Sequence, residues 1–352
     1  MPPLTPFPSF AFLGVVPCDD SELRIHNTSE FITFSIDVNS GANYSGTTVY
    51  LESDLDFSGG LSEQFEPMGS YRIPFDGTFD GQGHTISNLV VNSSSRYVGL
   101  FGYSTGSIKN FVLGSSCSLT SYFTVDANVF LGGVVGYYGS NNEHSYVSNV
   151  VNMAGVTFDG NTTGNLGLLY LGGIVGRISS DNFEVSVKNC VNYGQLRHFG
   201  VADYASIGGI VGDSSFPSKS VYIQNCLNYG AITVTGTAKT LYAGGILGAS
   251  TYTTIENCVS AGSIPSNLEY KGGISGYVYP DTNITHCLWT SDVGCGKTYG
   301  DNATVSSITS SSLVSINATT VDELNEYASN NGWNRWLLNI DNKSFTFKIY
   351  NN

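Results

Sequence analysis

Positive charge is scarce in this sequence: 14 Lys and Arg stand against 28 Asp and Glu, a formal net charge of −14 over 352 residues. Such a chain repels a phosphate backbone, which excludes nucleic acid as a partner. Long apolar runs are missing as well, and none approaches the ~20 residues of a membrane-spanning helix. The apolar stretch from Phe7 to Val16 has no basic flank, and Pro6 and Pro8 interrupt it where a signal helix would run. It reads as a trimmed leader or as a strand covering the start of the fold. Helix-forming composition is also lacking: Lys, Glu and Ala are outweighed by Tyr, Phe, Val, Ile, Ser, Thr and 42 Gly. No 3.6-residue apolar periodicity runs through the chain, so leucine-rich and helical repeats are excluded and an all-β chain with small helical additions is expected.

What the sequence does contain is a repeated two-part phrase. Leu171-Gly172-Gly173-Ile174-Val175-Gly176 is followed by Val187-Lys188-Asn189-Cys190-Val191-Asn192-Tyr193-Gly194, and near-copies begin at Ile207 and Ile223, then at Ala243 and Ile255. The glycine halves begin at Val98, Gly132, Gly172, Gly208, Gly244 and Gly272, spaced by 34, 40, 36, 36 and 28 residues. A spacing as short as 28 leaves no room for the four strands of a propeller blade, whereas a coil of short strands tolerates it. Polar loops of variable length, at 138 to 146, 158 to 169, 178 to 184, 199 to 205 and 213 to 219, absorb the differences. These loops, where the repeats disagree, are where function is expected. One rung cannot cover its own apolar residues; a parallel neighbour ~4.8 Å away does so and completes its hydrogen bonds. Gly-Gly is expected to make a corner with positive φ.

The stretch Phe75-Asp76-Gly77-Thr78-Phe79-Asp80-Gly81-Gln82-Gly83-His84-Thr85-Ile86-Ser87-Asn88-Leu89, the Gly-Leu-Phe-Gly at Gly99 to Gly102, and the recurring Gly-Gly-Ile-Val-Gly and Ile-x-Asn-Cys phrases resemble the GLUG-motif proteins. Those are repetitive bacterial and protist surface proteins similar to adhesins, and the resemblance covers about residues 47 to 290. It implies a right-handed parallel β-helix, an extracellular or cell-surface location, and host or cell-surface glycan or protein as partner. It carries over no catalytic residue and no cofactor.

The resulting domain plan is an N-terminal cover over 1–46, a parallel β-helix over 47–295 and a C-terminal helix-plus-strand cap over 296–352. In the first part, Ser29 to Ile36 reads as a short helix capped by Ser29 or as a strand. In the last, Thr320 with Glu323 forms a capping box for a helix to Ala328, and Trp333, Trp336 and the strand Phe345 to Ile349 would plug the last rung.

Four groups of residues are candidates for chemistry. Cys190, Cys226, Cys258 and Cys287 should lie one above another; zinc needs four ligands converging on a point, so a column one rung apart reads as core filling or as disulfides between rungs, with no metal. Asn110, Asn149, Asn189, Asn225 and Asn257, with Asn88 before them and His286 after, should form an amide ladder joining the rungs. Tyr170, Tyr242 and Tyr270, in a column with Phe130 and Ser206, and Tyr193 with Tyr229 in another, are packing ladders or strips on which sugar rings stack. Asp76, Asp80 and His84 form the acid/base group that a pectinase-like, carbohydrate-active enzyme would need. The function expected is a non-enzymatic adhesin-like module; the alternatives are that enzyme, or a purely architectural repeat that self-associates.

Overall fold

The structure is a computed structural model that describes residues 22–140, 145–163, 167–179, 183–214, 220–279, 281–290, 293–302, 307–309, 312–314, 318–339 and 344–347. The stretch 7–16 and parts of the variable loops lie outside these residues. Strands dominate, and nearly all pair in parallel with the equivalent strand of the next repeat, giving a β-helix-like stack.

One repeat shows why. Val185–Lys188 and Val191–Asn192 belong to a long sheet, Leu196–His198 to a five-stranded sheet, and Val201–Gly208 and Val211–Ser214 to two seven-stranded sheets; the chain then returns at Val221–Gln224. Val187 pairs with Ile223, Leu196 with Ile232, Ile207 with Ala243 and Val211 with Leu247. Alternate side chains point inward, so Val187, Cys190, Leu196, Ile207, Ile210 and Val211 are all buried. Each such aliphatic side chain contributes roughly 1.5–3 kcal/mol by leaving water.

The expected positive φ at Gly-Gly is not found. None of Gly172, Gly173, Gly208, Gly209, Gly244 and Gly245 is among the positive-φ residues. Glycine is required there for space: a Cβ on Gly172 would overlap the Val175 carbonyl, and one on Gly173 would overlap the Gly209 carbonyl and the Asn192 side chain. The left-handed positions are instead the asparagine column, with φ between 52° and 61° at Asn110, Asn149, Asn189, Asn225 and Asn257, and 52° at His286. Asn88, expected to head the column, has φ 57° but is out of register with Asn110, because Ile86 pairs with Leu113, and it bonds Asp56 instead. Each column member bends the strand of the long sheet, and asparagine tolerates that conformation better than most residues.

A second amide ladder runs inside the first. Asn152 donates to Asn192 Oδ1 and Asn192 to Asn228 Oδ1, both at 2.9 Å, and all three are fully buried. Each also closes a turn on itself: Gly194 N donates to Asn192 Oδ1 at 3.1 Å, and Asn192 Nδ2 donates to the Gly194 carbonyl at 3.0 Å. The signal for it is the recurring Asn-x-Gly, as in Asn192-Tyr193-Gly194 and Asn228-Tyr229-Gly230.

Parallel pairing passes both expected domain boundaries. Glu22–Ile25 already pairs in parallel with Thr48–Leu51, so part of the expected cover segment is a strand of the stack. Tyr299–Asn302 pairs in parallel with Ser275–Val278 beyond residue 295. Helix α1, Thr28–Asn39, closes the N-terminal end by burying Phe31, Ile32, Phe34 and Val38. Its cap is Asn27, not Ser29: Glu30 N donates to Asn27 Oδ1 at 3.0 Å, and Asn27 Nδ2 returns a bond to Glu30 Oε1 at 2.8 Å.

Among the described residues, the C-terminal part lies along the side of the stack rather than over its last rung; Lys348 and Ile349 of the expected final strand lie outside them. Helix α2 spans Ala318–Asn330, which places Thr320 inside the helix, and Trp336–Asn339 pairs antiparallel with Ser344–Phe347 rather than with the stack. Leu324, Ala328 and Trp336 pack on the outward column Val191, Leu227, Val259 and Leu288. The segment is therefore a strap along the side of the long sheet, and it buries Asn225 and Asn257 beneath it.

Candidate functional site

The two seven-stranded sheets are joined along a line of glycines, among them Gly132, Gly172, Gly208 and Gly244. Beside that line, one wall carries Tyr97, Phe130, Tyr170, Ser206, Tyr242 and Tyr270 in register. The other carries Tyr103, Tyr137, Arg177, Asp213, Ala249 and Tyr277. The walls touch across it: Phe130 and Tyr137 rings lie 4.9 Å apart, Arg177 sits 4.6 Å over the Tyr170 ring, and Tyr242 and Tyr277 are 4.7 Å apart. From Phe130 onward the second wall is detectable in the sequence as the residue seven positions after each member of the first, and Tyr103 follows Tyr97 by six, a relation that alternation within one strand does not suggest.

Ser206 interrupts the aromatic column, and Tyr204 fills the gap, 6.1 Å from Tyr170 and 5.5 Å from Tyr242. Opposite, Arg177 Nε lies 3.5 Å from the buried Asp213 carboxylate. Burial, reinforced by the Asp213 charge, pushes the Tyr170 and Tyr204 phenols well up, so they remain protonated. Burial works to lower the Arg177 guanidinium, but Asp213 together with Tyr170, Tyr137 and Tyr204 outweighs it and holds it above its usual value.

Tyr170, Tyr242 and Tyr270 share one column, and Tyr193 and Tyr229 form the second, stacked on each other at 5.5 Å beside the strap. Rings on neighbouring rungs cover one another, as with Tyr97 on Phe130 at 5.2 Å and Phe130 on Tyr170 at 5.4 Å. A sugar stacks on an aromatic face, and here the faces are taken up by the ladder itself.

The cysteine column is packed as thiols. Cys190, Cys226, Cys258 and Cys287 are fully buried, and their S–H groups point to the carbonyls of Lys188, Gln224, Glu256 and Thr285 at 3.2–3.3 Å. Burial pushes the Cys190 and Cys258 thiols up, away from thiolate chemistry.

The ladder asparagines bond rung to rung: Asn149 to Asn110 at 3.0 Å, Asn225 to Asn189 at 2.8 Å and Asn257 to Asn225 at 2.8 Å. His286, the last member, stacks on Tyr327 of α2 at 3.9 Å.

Asp76, Asp80 and His84 hold separate frame contacts. Thr105 Oγ1 donates to Asp76 at 2.8 Å. Asp80 receives Asn110 Nδ2 at 2.9 Å and Lys109 Nζ at 3.1 Å, so it begins the amide ladder. His84 Nδ1 lies 3.1 Å from Asp54, whose carboxyl is held below its ordinary range first by the Thr85 backbone N–H and then by His84.

The outer face of the long sheet was not singled out by the repeat phrase. Tyr50, Asp80 and Lys109 line up there, followed by Ser148, Lys188, Gln224 and Glu256 on successive rungs. Beside that row run Tyr146, Ser186 and Tyr222. Burial works to lower the Lys109 ammonium, but the bond and charge of Asp80, with Tyr146 and Tyr50 nearby, hold it above the usual lysine value. A cavity of about 270 Å³ opens between Tyr146 and Tyr222, lined also by Ser145, Glu184, Ser186 and Lys188.

These features define a parallel β-helix-like protein with a polar, aromatic outer face. No protein-family model matches the chain, and no curated protein matches it in sequence. Among solved structures it is similar to the crystal structure described as "a putative immunoglobulin A1 protease from Bacteroides ovatus", with a TM-score of 0.54 and 19% identity, covering 93% of this chain and 92% of that one. At that identity the likeness is one of fold.

Proposed function

We propose that this chain is a non-enzymatic, adhesin-like module of the cell surface or extracellular space, a right-handed β-helix solenoid of the GLUG type that binds glycan or protein on its side. The observation that carries this reading is the outer face of the long sheet, where half-buried tyrosines run beside the row of Lys109, Lys188, Gln224 and Glu256, and a cavity lined by Tyr146, Lys188 and Tyr222 opens between them. Amphipathic side chains held on a rigid sheet suit recognition, because little side-chain freedom is lost on binding. No helix among the described residues is long and apolar enough to cross a membrane.

Two alternatives have less support. A pectinase-like enzyme needs carboxylates converging on one bond, whereas Asp76, Asp80 and His84 are each committed to a different neighbour. The protease description belongs to a protein of 19% identity and comes without any residue to test in this chain. A glycan array combined with a cell-binding assay tests the proposal: binding to at least one is expected. Self-association with no binding would favour the architectural repeat, and cleavage of a polysaccharide or peptide panel would favour the enzyme.

A further inference from the structure

We infer that the cavity between Tyr146 and Tyr222 is a slot for a single neutral pyranose ring of a glycan chain; the inference rests on the glycan-binding reading above and assigns it a site. Tyr146, Ser186 and Tyr222 occupy the same register on three consecutive rungs. In the other ladders, aromatic rings sit on adjacent rungs and cover each other at 5.2–5.5 Å. Here Ser186 stands between the two tyrosines, which sets their backbones two strand spacings apart, about 9.6 Å. A sugar ring lying between two faces, each at ~3.5–4.0 Å van der Waals contact, needs roughly 7–8 Å. A slot one rung wide therefore accepts one ring, and the serine supplies a hydroxyl at its floor.

The polar groups argue for a neutral sugar. Lys188 Nζ lies over the Tyr146 ring, 4.8 Å from its centre, so an entering sugar must turn this flexible ammonium aside to the rim of the slot, and the Tyr222 hydroxyl donates to Glu184 Oε1 at 3.3 Å. Burial and the Glu184 charge push the Tyr222 phenol up, so it stays a donor. The slot thus offers one cation, one carboxylate and hydroxyls, which match the mixed donors and acceptors of sugar hydroxyls. An anionic sugar would gain Lys188 but face Glu184 and a chain of net charge −14. The volume, about 270 Å³, lies below the ~300–1,000 Å³ of drug-sized pockets and suits one ring of a longer chain.

Calorimetric titration of the whole chain with cellotetraose, maltotetraose, mannotetraose, chitotetraose and polygalacturonate tests this. At least one neutral tetrasaccharide should bind, and polygalacturonate should not compete. Tyr146→Ala and Tyr222→Ala should each weaken binding about tenfold, or ~1.4 kcal/mol. Ser186→Tyr, which fills the slot and completes a ladder without removing any wall, should abolish binding while keeping the parent melting temperature. Tyr242→Ala, in the other aromatic column, should leave the affinity unchanged. Loss of binding in Tyr242→Ala but not in the slot variants would overturn the slot and leave the glycan reading standing. Preference for polygalacturonate would overturn the neutral assignment. No binding to any of the five would overturn the slot, and a positive cell-binding assay would then show that the adhesin reading survives through a protein partner.

Discussion

Asn225 donates its side-chain amide to the main-chain carbonyl of Asn334, 109 residues later in the chain, at 3.0 Å. The same amide also reaches Asn189 Oδ1 at 2.8 Å, so one ladder residue bonds both to the rung beside it and to the strap outside it. Asn334 returns the contact further along, through its side chain to Asn149 at 3.2 Å and its N–H to Asn189 at 3.4 Å. The strap is thus registered on the amide ladder, and the apolar pairing of Trp336 with Leu227 and its neighbours supplies its burial.

The strap should therefore release as a unit. Trp336 is 1% exposed, and truncating such a residue costs about 3–5 kcal/mol where the whole fold depends on it. In Trp336→Ala, hydrogen exchange should show lost protection in α2 while amides of Val221–Gln224 keep theirs. If both regions lose protection together, strap and stack form one cooperative unit instead.

Two kinds of position in the repeat should fail for different reasons. At Gly208 an added Cβ would overlap the Val211 carbonyl, so Gly208→Ala should cost about 1–3 kcal/mol or more by overpacking. At Asn225, φ is 52°, so Asn225→Ala adds roughly 1–2 kcal/mol of backbone strain to its lost hydrogen bonds. Asn225→Gly should recover the strain alone and melt between Asn225→Ala and the parent. Equal melting of the two asparagine variants would show that the left-handed bend carries no energetic weight.

This contrast marks how far the sequence can be read unaided. The recurrence of Ile223-Gln224-Asn225 and its relatives makes stacking, register and the amide ladder legible, because those depend on residues at equal positions in equal units. The role of Gly172 is not legible: glycine signals either positive φ or lack of space, and only the position of the Val175 carbonyl decides. The strap is hidden for another reason. Trp333 and Trp336 announce burial, but whether they cover the end or the side depends on the path of a non-repeating segment. Tyr146 and Tyr222 were obscured because a site made by two rungs and the residue between them does not recur as a phrase.

The cysteine column should behave as core. Equivalent positions in earlier rungs are Phe111 and Val150, both buried. Cys226→Val should accordingly leave the melting temperature close to the parent, while Cys226→Ser should lower it by burying a stronger polar group beside the same carbonyls. A thiol reagent should label these sites only as the protein unfolds. Rapid labelling of the native protein would contradict the packing.

Acid sensitivity should trace in part to His198. It is fully buried between the positions of Phe158 and Val234, with Nε2 at 3.3 Å from the Thr237 carbonyl, and Nδ1 has no hydrogen-bond partner among the described residues. Burial lowers its pKa to about 4, with the Thr237 bond opposing only partly. In the unfolded chain the imidazole titrates near ~6.5. Above that pH both states are neutral and the group has no effect on stability. Between ~6.5 and about 4 the unfolded chain binds a proton that the folded site refuses, so stability falls with pH and the loss levels off below the folded value. The full difference is on the order of 3 kcal/mol. His198→Phe, which extends the Phe158 position by one rung, should flatten this part of the stability curve while leaving the carboxylate-driven loss at lower pH unchanged. Denaturant midpoints measured at intervals from pH 7 to pH 4 for the two proteins would show parallel curves if the buried imidazole were protonated in the fold.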